Sequence, residues 1–255
     1  MARMISTTAK RLTDAQNGAA SKVVNKALIA MMDAVNDAIY GGRDEVHPGD
    51  AYSFYMSCAA HIAHTAYKNT GMDTEAFHAA MWCIAETITT DGIPKGYGDK
   101  ETAAGVALSK SNAKASGIGP NRGEGKPLAV NSMAEELDDN ETIAAENDIV
   151  RPAVLGYLAE LNNDINGYKG GEAWHPTDLY CLHMRAVEVI LLNIADMTRV
   201  DLETMGRHVA HMIETIPNSL DPKNHSVVVA STLLKAKAKA DMTLSDLIAR
   251  KKKKG

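Results

Sequence analysis

The sequence lacks any run of 18 consecutive apolar residues, and it has only three cysteines among 255 residues. A membrane-spanning helix needs about 20 apolar residues, so we expect the chain to cross no membrane. The cysteines, Cys58, Cys83 and Cys181, are widely spaced and form no C-x-x-C pair. Neither a disulfide framework nor a zinc ribbon is therefore encoded, and we expect reduced, buried thiols in a cytoplasmic protein.

Alternating apolar and polar runs rich in β-branched residues are almost absent, with 227–229 as the one β-like triplet. Longer apolar segments cover 50–69 and 177–198, and shorter helices are predicted over 73–89 and 201–216, where Asp73 and Asp201 suit the N-cap. Two further sets of apolar residues recur at helical spacing: Val24, Leu28, Met31, Val35 and Ile39, and Val154, Leu155, Leu158, Leu161 and Ile165. We therefore predict an all-α fold.

Charge is unevenly distributed along the chain. The net charge is −5, but the segment from Lys235 to Lys254 carries +6, which leaves −11 on the part of the chain before Lys235. Leu244, Leu247 and Ile248 predict a short amphipathic helix in this segment, which could dock a partner or pack back on its own bundle. The basic end could contact a nucleic-acid backbone or be a solvated tail; it comprises Arg250, Lys251, Lys252, Lys253 and Lys254.

An internal repeat relates residues 40–88 to the residues 128 positions further along. This alignment gives 14 identities in 49 ungapped pairs, among them the two His-Pro pairs, His47-Pro48 and His175-Pro176. Chance would give about three identities for a typical composition. The sequence therefore predicts two copies of a three-helix unit, packed as a pseudo-two-fold helical bundle.

The repeat sets the predicted organisation of the chain. We assign residues 1–20 to an N-terminal arm, 21–91 to the first repeat, 92–148 to a Gly-rich and acidic linker, 149–217 to the second repeat, and 218–255 to C-terminal helices with the basic tail. Within the linker, Ser132 and Glu135 have the spacing of a capping box for a short exposed helix. Seven acids at 135–148 are interpreted as its solvated face.

The repeated His-Pro-x-Asp sequence has a structural explanation as a helix start. Proline lacks an N–H group to satisfy, and a carboxylate two residues later meets unpaired N–H groups and the positive end of the helix dipole. His47, Pro48, His175 and Pro176 are therefore taken as a structural signature of the repeat. The functional alternative would make the two histidines, with Asp50 and Asp178, site residues.

The second repeat resembles a known family. The run 200–217, VDLETMGRHVAHMIETIP, follows an apolar helix at 187–197, and together they resemble the last two helices of MazG-like all-α nucleotide pyrophosphohydrolases. The resemblance covers roughly residues 153–217 and is echoed at 27–88. In that family Mg²⁺ is bound through an E-x-x-E pair on one helix and an E-x-x-D pair on the next. The E-x-x-D pair is missing here, because the corresponding positions read His183-Met-Arg-Ala186 and Tyr55-Met-Ser-Cys58.

Carboxylates could form a metal site in another arrangement. The first helix of each unit carries two acids four residues apart, and a third acid opens the next helix. These sets are Asp33, Asp37 and Asp50, and Glu160, Asp164 and Asp178. Such oxygen ligands would suit Mg²⁺ carrying nucleotide phosphates, so Mg²⁺ is the cofactor expected if this reading holds, and none otherwise. On a helical projection the helix acids lie away from the apolar stripes, which favours a solvated face.

Histidine pairs are a further possible metal site. His61 with His64 and His208 with His211 are spaced to share a metal, but the pairs do not coincide between the two repeats. Histidines that pack in the core are the favoured interpretation. No G-x-S-x-G sequence occurs, and no Ser-His-Asp set can be assembled from spacing alone.

Three functions remain open at this point. The first is a non-catalytic helical protein that forms a homo-oligomer or binds a protein partner. The second is a divergent Mg²⁺-dependent nucleotide pyrophosphohydrolase, and the third is nucleic-acid binding through the basic tail. We rank assembly or partner binding first because the E-x-x-D pair is missing.

Overall fold

The computed structural model describes residues 5–40, 43–89, 129–168, 173–198 and 202–218. These ranges are helical apart from short connecting segments, which confirms the predicted all-α class. None of the described helices is long and apolar enough to span a membrane. The elements are α1 (Asp14–Tyr40), α2 (Pro48–Thr70), α3 (Thr74–Thr89), α4 (Asp139–Ala145), a π-helical turn (Glu146–Val150), α5 (Arg151–Tyr168), α6 (Pro176–Thr198) and α7 (Leu202–Thr215).

The helices pack chiefly in three pairs. α2 lies against α6 at the centre, α1 lies against α5, and α3 lies against α7. The predicted stripe of α1, from Val24 to Ile39, is buried throughout. In α5 the prediction for Leu155 is wrong, since this side chain is 57% exposed and Tyr157 is buried instead. The reason is rotational, because Tyr157 shares the helix face of Val154 and Leu161, whereas Leu155 lies about 100° away from Val154.

Both central helices begin inside the protein with a histidine cap. His47 Nδ1 accepts a hydrogen bond from the N–H of Gly49 at 3.2 Å, and His175 Nδ1 accepts one from the N–H of Thr177, also at 3.2 Å. The prolines that follow each histidine start the helix and are buried. The prolines thus start the helices as predicted. The histidine caps, which the sequence interpretation did not assign, satisfy N–H groups that are buried at Gly49 and half-buried at Thr177.

The two aspartates of the motif bind the backbone of distant segments. Asp50 Oδ2 accepts from the N–H of Leu137 at 3.0 Å, and Asp178 Oδ2 accepts from the N–H of Leu12 at 2.8 Å. Asp178 also accepts from Arg11 Nε at 2.6 Å. Their N–H donors therefore include groups outside their own helices, which the sequence interpretation did not foresee. We call residues 5–12 and 129–137 the first and second arms.

Each arm also forms one parallel β-bridge. Val46 donates its N–H to the carbonyl of Ala129 at 2.9 Å, in the bridge to Val130. The first arm donates from the N–H of Ser6 to the carbonyl of Trp174 at 3.0 Å. The arm that precedes α1 therefore binds the start of α6, and the arm that precedes α4 binds the start of α2.

A capping box follows each arm. The box after the second arm lies at a different position from the one that was predicted. Asp138 and Glu141 cap each other at the start of α4, with distances of 2.8 and 2.9 Å, so the predicted Ser132–Glu135 box is wrong. Thr13 and Gln16 do the same at the start of α1, at 3.0 and 3.4 Å. Helix therefore begins at Asp14, inside the segment assigned to the N-terminal arm 1–20. It begins again at Asp139, inside the linker assigned to 92–148 and six residues later than the predicted box would start it.

We predict that each buried aspartate stabilises the fold through its arm. Asp178→Ala and Asp50→Ala should each lower the free energy of unfolding by about 1–3 kcal/mol, because a partly buried N–H loses its acceptor. Arg11→Ala should cost less than about 1 kcal/mol, since that side chain is 57% exposed. Urea unfolding followed by circular dichroism measures the free energy of unfolding of all three variants. The exposed Asp37→Ala is the control, and aspartate variants as stable as this control would contradict the prediction.

Candidate functional site

The π-helical turn Glu146–Val150 joins two features of the protein. Its first residue, Glu146, is buried against α2, whereas Asp148 and Ile149 line a cleft between α1 and α5. Such turns are rare and occur frequently at functional sites. We therefore take the turn, the buried cluster beneath it and the cleft beside it as the candidate site.

The buried cluster consists of Glu146, Ser57 and His61. Glu146 Oε1 accepts from Ser57 Oγ at 2.6 Å and pairs with His61 Nε2 at 2.9 Å. All three residues are more than nine-tenths buried. The second carboxylate oxygen of Glu146 is also buried and has no hydrogen-bond partner among the described residues. The carboxylate is thus held by two side chains of α2 in the interior.

This cluster is poorly suited to nucleophilic catalysis. Ser57 and His61 are almost completely covered, so a substrate cannot reach them in this conformation. Burial, followed by the negative charge of Glu146, raises the pKa of the neighbouring Cys58 thiol well above its usual value. The thiol therefore stays protonated and is a weak nucleophile. Cys58 is buried as predicted, whereas Cys181 is exposed, which corrects the expectation for that residue.

The cleft between α1 and α5 has a volume of about 460 Å³. Most of its lining consists of small or apolar side chains, with the carboxylates of Asp148 and Glu160 among them. The remaining lining residues are Ala27, Ala30, Met31, Ala34, Ile149, Pro152, Ala153, Gly156 and Tyr157. Gly156 is exposed, and a Cβ added there would meet no atom within 4 Å, so the cleft is open at this position.

The predicted metal ligands lie at separate places. Asp33 is half-buried and Asp37 exposed on α1, Asp50 binds the second arm, and no three His, Cys, Asp or Glu side chains in the described ranges converge to hold a metal ion. In the second set, Glu160 is half-buried at the cleft and Asp178 binds the first arm. The side chain of Asp164 is not among those that the structure describes.

Three of the four paired histidines pack in the core as predicted, whereas His211 is half-buried. His61, His64 and His208 are buried, and His208 Nδ1 shares a hydrogen bond with the hydroxyl of Tyr52 across α2 and α7. The Gly-rich part of the linker and the basic residues Arg250 to Lys254 lie outside the described residues. The predicted nucleic-acid contact of that tail therefore stays a prediction.

Sequence reasoning missed Glu146 because it stands within a run of acids that was assigned to solvent. A signal was present, since Thr142, Glu146, Val150 and Val154 recur every four residues and all four are buried. An α-helix would rotate such a series by about 40° at each step, whereas a wider π-helical turn reduces the rotation. The spacing of Glu146 from Thr142, Val150 and Val154 would thus have placed this acid on the buried face.

The corresponding positions in the other half of the protein also contact each other, but they carry different side chains. Arg185 is the counterpart of Ser57 in the repeat alignment, and its Nη1 donates to Ser21 Oγ at 2.9 Å. Ser21 is the counterpart of Glu146, at the same offset in sequence that separates the two arms. The acid, the histidine and the π-helical turn therefore belong to one half only among the described residues.

A similar difference between the halves involves two buried tyrosines that correspond in the repeat alignment. Tyr52 shares a hydrogen bond with His208. The hydroxyl of Tyr180 has no hydrogen-bond partner within the described part of the chain. The two tyrosines therefore have different polar contacts, although they align in the sequence.

Comparison with known proteins gives no relative. No protein-family model, no curated protein and no solved structure matches the chain. Function must therefore be inferred from the geometry of the chain itself.

We predict that Glu146 is required for stability. Glu146→Ala should lower the free energy of unfolding by about 3–5 kcal/mol, because Ser57 and His61 would remain buried without their acceptor. Glu146→Gln should cost less than half as much, since an acceptor oxygen of similar shape remains. Urea unfolding of both variants measures this, with the exposed Asp148→Ala as control. If Glu146→Ala were as stable as that control, the cluster would have no structural importance.

Proposed function

We propose that this chain is a non-catalytic helical binding protein, built from a tandem duplication, whose α1–α5 cleft receives an amphipathic helical segment with basic side chains. The cleft is the observation that carries the proposal. Its lining combines small side chains, which let a helix approach closely, with two carboxylates that attract basic groups. Its volume of about 460 Å³ lies within the usual range for binding clefts.

Matched hydrogen bonds support the duplication. The histidine caps recur at the offset of the repeat alignment, as do Asp50 and Asp178 and the bonds from Thr70 and Thr198 to the carbonyls four residues before them. The bridge residues of the arms and the two capping boxes share a second offset, three positions shorter. Because each arm crosses to the other half, we propose that a pseudo-two-fold axis relates the halves.

The contacts of the acids also favour binding over hydrolysis. Asp50 and Asp178, two of the candidate metal ligands, already accept hydrogen bonds from the arms. The cleft carboxylates would repel the phosphates of a nucleotide unless a metal ion lay between them. The same carboxylates would attract a lysine or arginine side chain.

The proposal predicts that a large side chain in the cleft weakens peptide binding. A short fluorescein-labelled amphipathic peptide, with leucines on one face and lysines at its end, should bind the full chain in an anisotropy titration. Gly156→Phe should weaken this binding at least about tenfold, or about 1.4 kcal/mol, by occupying the cleft. Gly18→Phe is the matched control, since Gly18 is also a helical glycine with open space at its Cβ and does not line the cleft.

Three results would contradict the proposal. The first is equal affinity of the peptide for the wild-type chain and both glycine variants. The second is equal affinity for a peptide in which glutamates replace the lysines. The third is release of pyrophosphate from nucleoside triphosphates with Mg²⁺ that Glu160→Gln abolishes, which would favour the pyrophosphohydrolase instead.

A further inference from the structure

We infer that the segment that occupies the α1–α5 cleft is the C-terminal segment of the same chain, Thr243 to Lys254. The inference rests on the proposed function and names the ligand of that site. The occupied state would close the cleft to other helices, so an external partner would bind only by displacing the tail. The tail would then act as a built-in competitor.

The chemistry of the segment matches that of the cleft. Leu244, Leu247 and Ile248 would lie on one helical face, which is the arrangement that inserts apolar side chains between two helices. The small side chains of the cleft, such as Ala30 and Gly156, leave room for them.

Charge complementarity favours this segment over the rest of the chain. Between Lys235 and Lys254 the net charge is +6, whereas the part of the chain before Lys235 carries −11. Asp148 and Glu160 line the cleft, and the exposed Asp37 lies seven residues after Ala30 on the same face of α1. Five basic residues follow Ile248 within six positions, so they would lie beside these acids once the leucines are inserted.

The length of the chain permits the contact within one molecule. The described part ends at Asn218, and the stretch from there to Thr243 can span at most about 90 Å. A domain of this size is only about 40 Å across. Tethering also gives the segment an effective concentration in the millimolar range, so even a weak contact would be largely formed.

Photo-crosslinking in the full chain tests the contact directly. Leu247→p-benzoylphenylalanine should crosslink to the tryptic peptides that contain the cleft residues of α1 or α5, as identified by mass spectrometry. Adding Gly156→Phe should remove these crosslinks, and adding Gly18→Phe should leave them. A mixture of isotopically light and heavy chains should show them within single chains. Crosslinks that form elsewhere, that link different chains only, or that survive Gly156→Phe would overturn the inference.

A binding measurement separates this inference from the proposed function. In the full chain with Leu244→Ser, Leu247→Ser and Ile248→Ser, the labelled amphipathic peptide should bind at least about tenfold more tightly than in the wild-type chain, because the internal competitor is lost. If the affinity is unchanged but Gly156→Phe still weakens it, the tail does not occupy the cleft and the proposed function stands. If no variant binds the peptide, both fail.

Discussion

Burial of the first turns of α2 and α6 is the constraint on which the rest of the structure depends. A helix start has unpaired N–H groups, and here Gly49 is buried and Thr177 half-buried, so these groups need partners within the protein. His47 and His175 accept hydrogen bonds from two of them, and the prolines remove others. The carboxylates of Asp50 and Asp178 stand at the positive end of each helix dipole, but a buried carboxylate needs donors of its own.

The arms supply those donors, and this links the two halves of the chain. Because the first arm binds the start of α6 and the second binds the start of α2, neither half completes its central helix alone. The capping boxes follow the arms directly, and α1 and α4 begin there. The π-helical turn follows α4 directly, so the position of the cleft also depends on the second arm.

The sequence allowed prediction of features set by local interactions. Helix positions follow from apolar spacing, and the helix starts from the His-Pro pairs, since both depend on residues within one or two turns. The exposure of Cys181 and the contacts of Asp50 and Asp178 depend on segments distant in the sequence. The burial of Glu146 and the exposure of Leu155 depend on the rotation of the helix about its own axis, to which the π-helical turn contributes. The cleft was not predictable either, because alanines and a glycine carry no signal until two helices bring them together.

The central claim is that the two halves are related by a pseudo-two-fold axis, and a double-mutant cycle on Ala80 and Tyr180 tests it most directly. Ala80 is the counterpart of His208 in the repeat alignment, so the proposed axis would place it beside Tyr180. Burial raises the pKa of Tyr180, and so does Asp73 at the start of α3. Ala80→His should supply the partner that the Tyr180 hydroxyl lacks within the described residues. We predict a coupling energy of about 0.5–1.5 kcal/mol between Ala80→His and Tyr180→Phe in urea unfolding. A coupling energy of zero would contradict the claim.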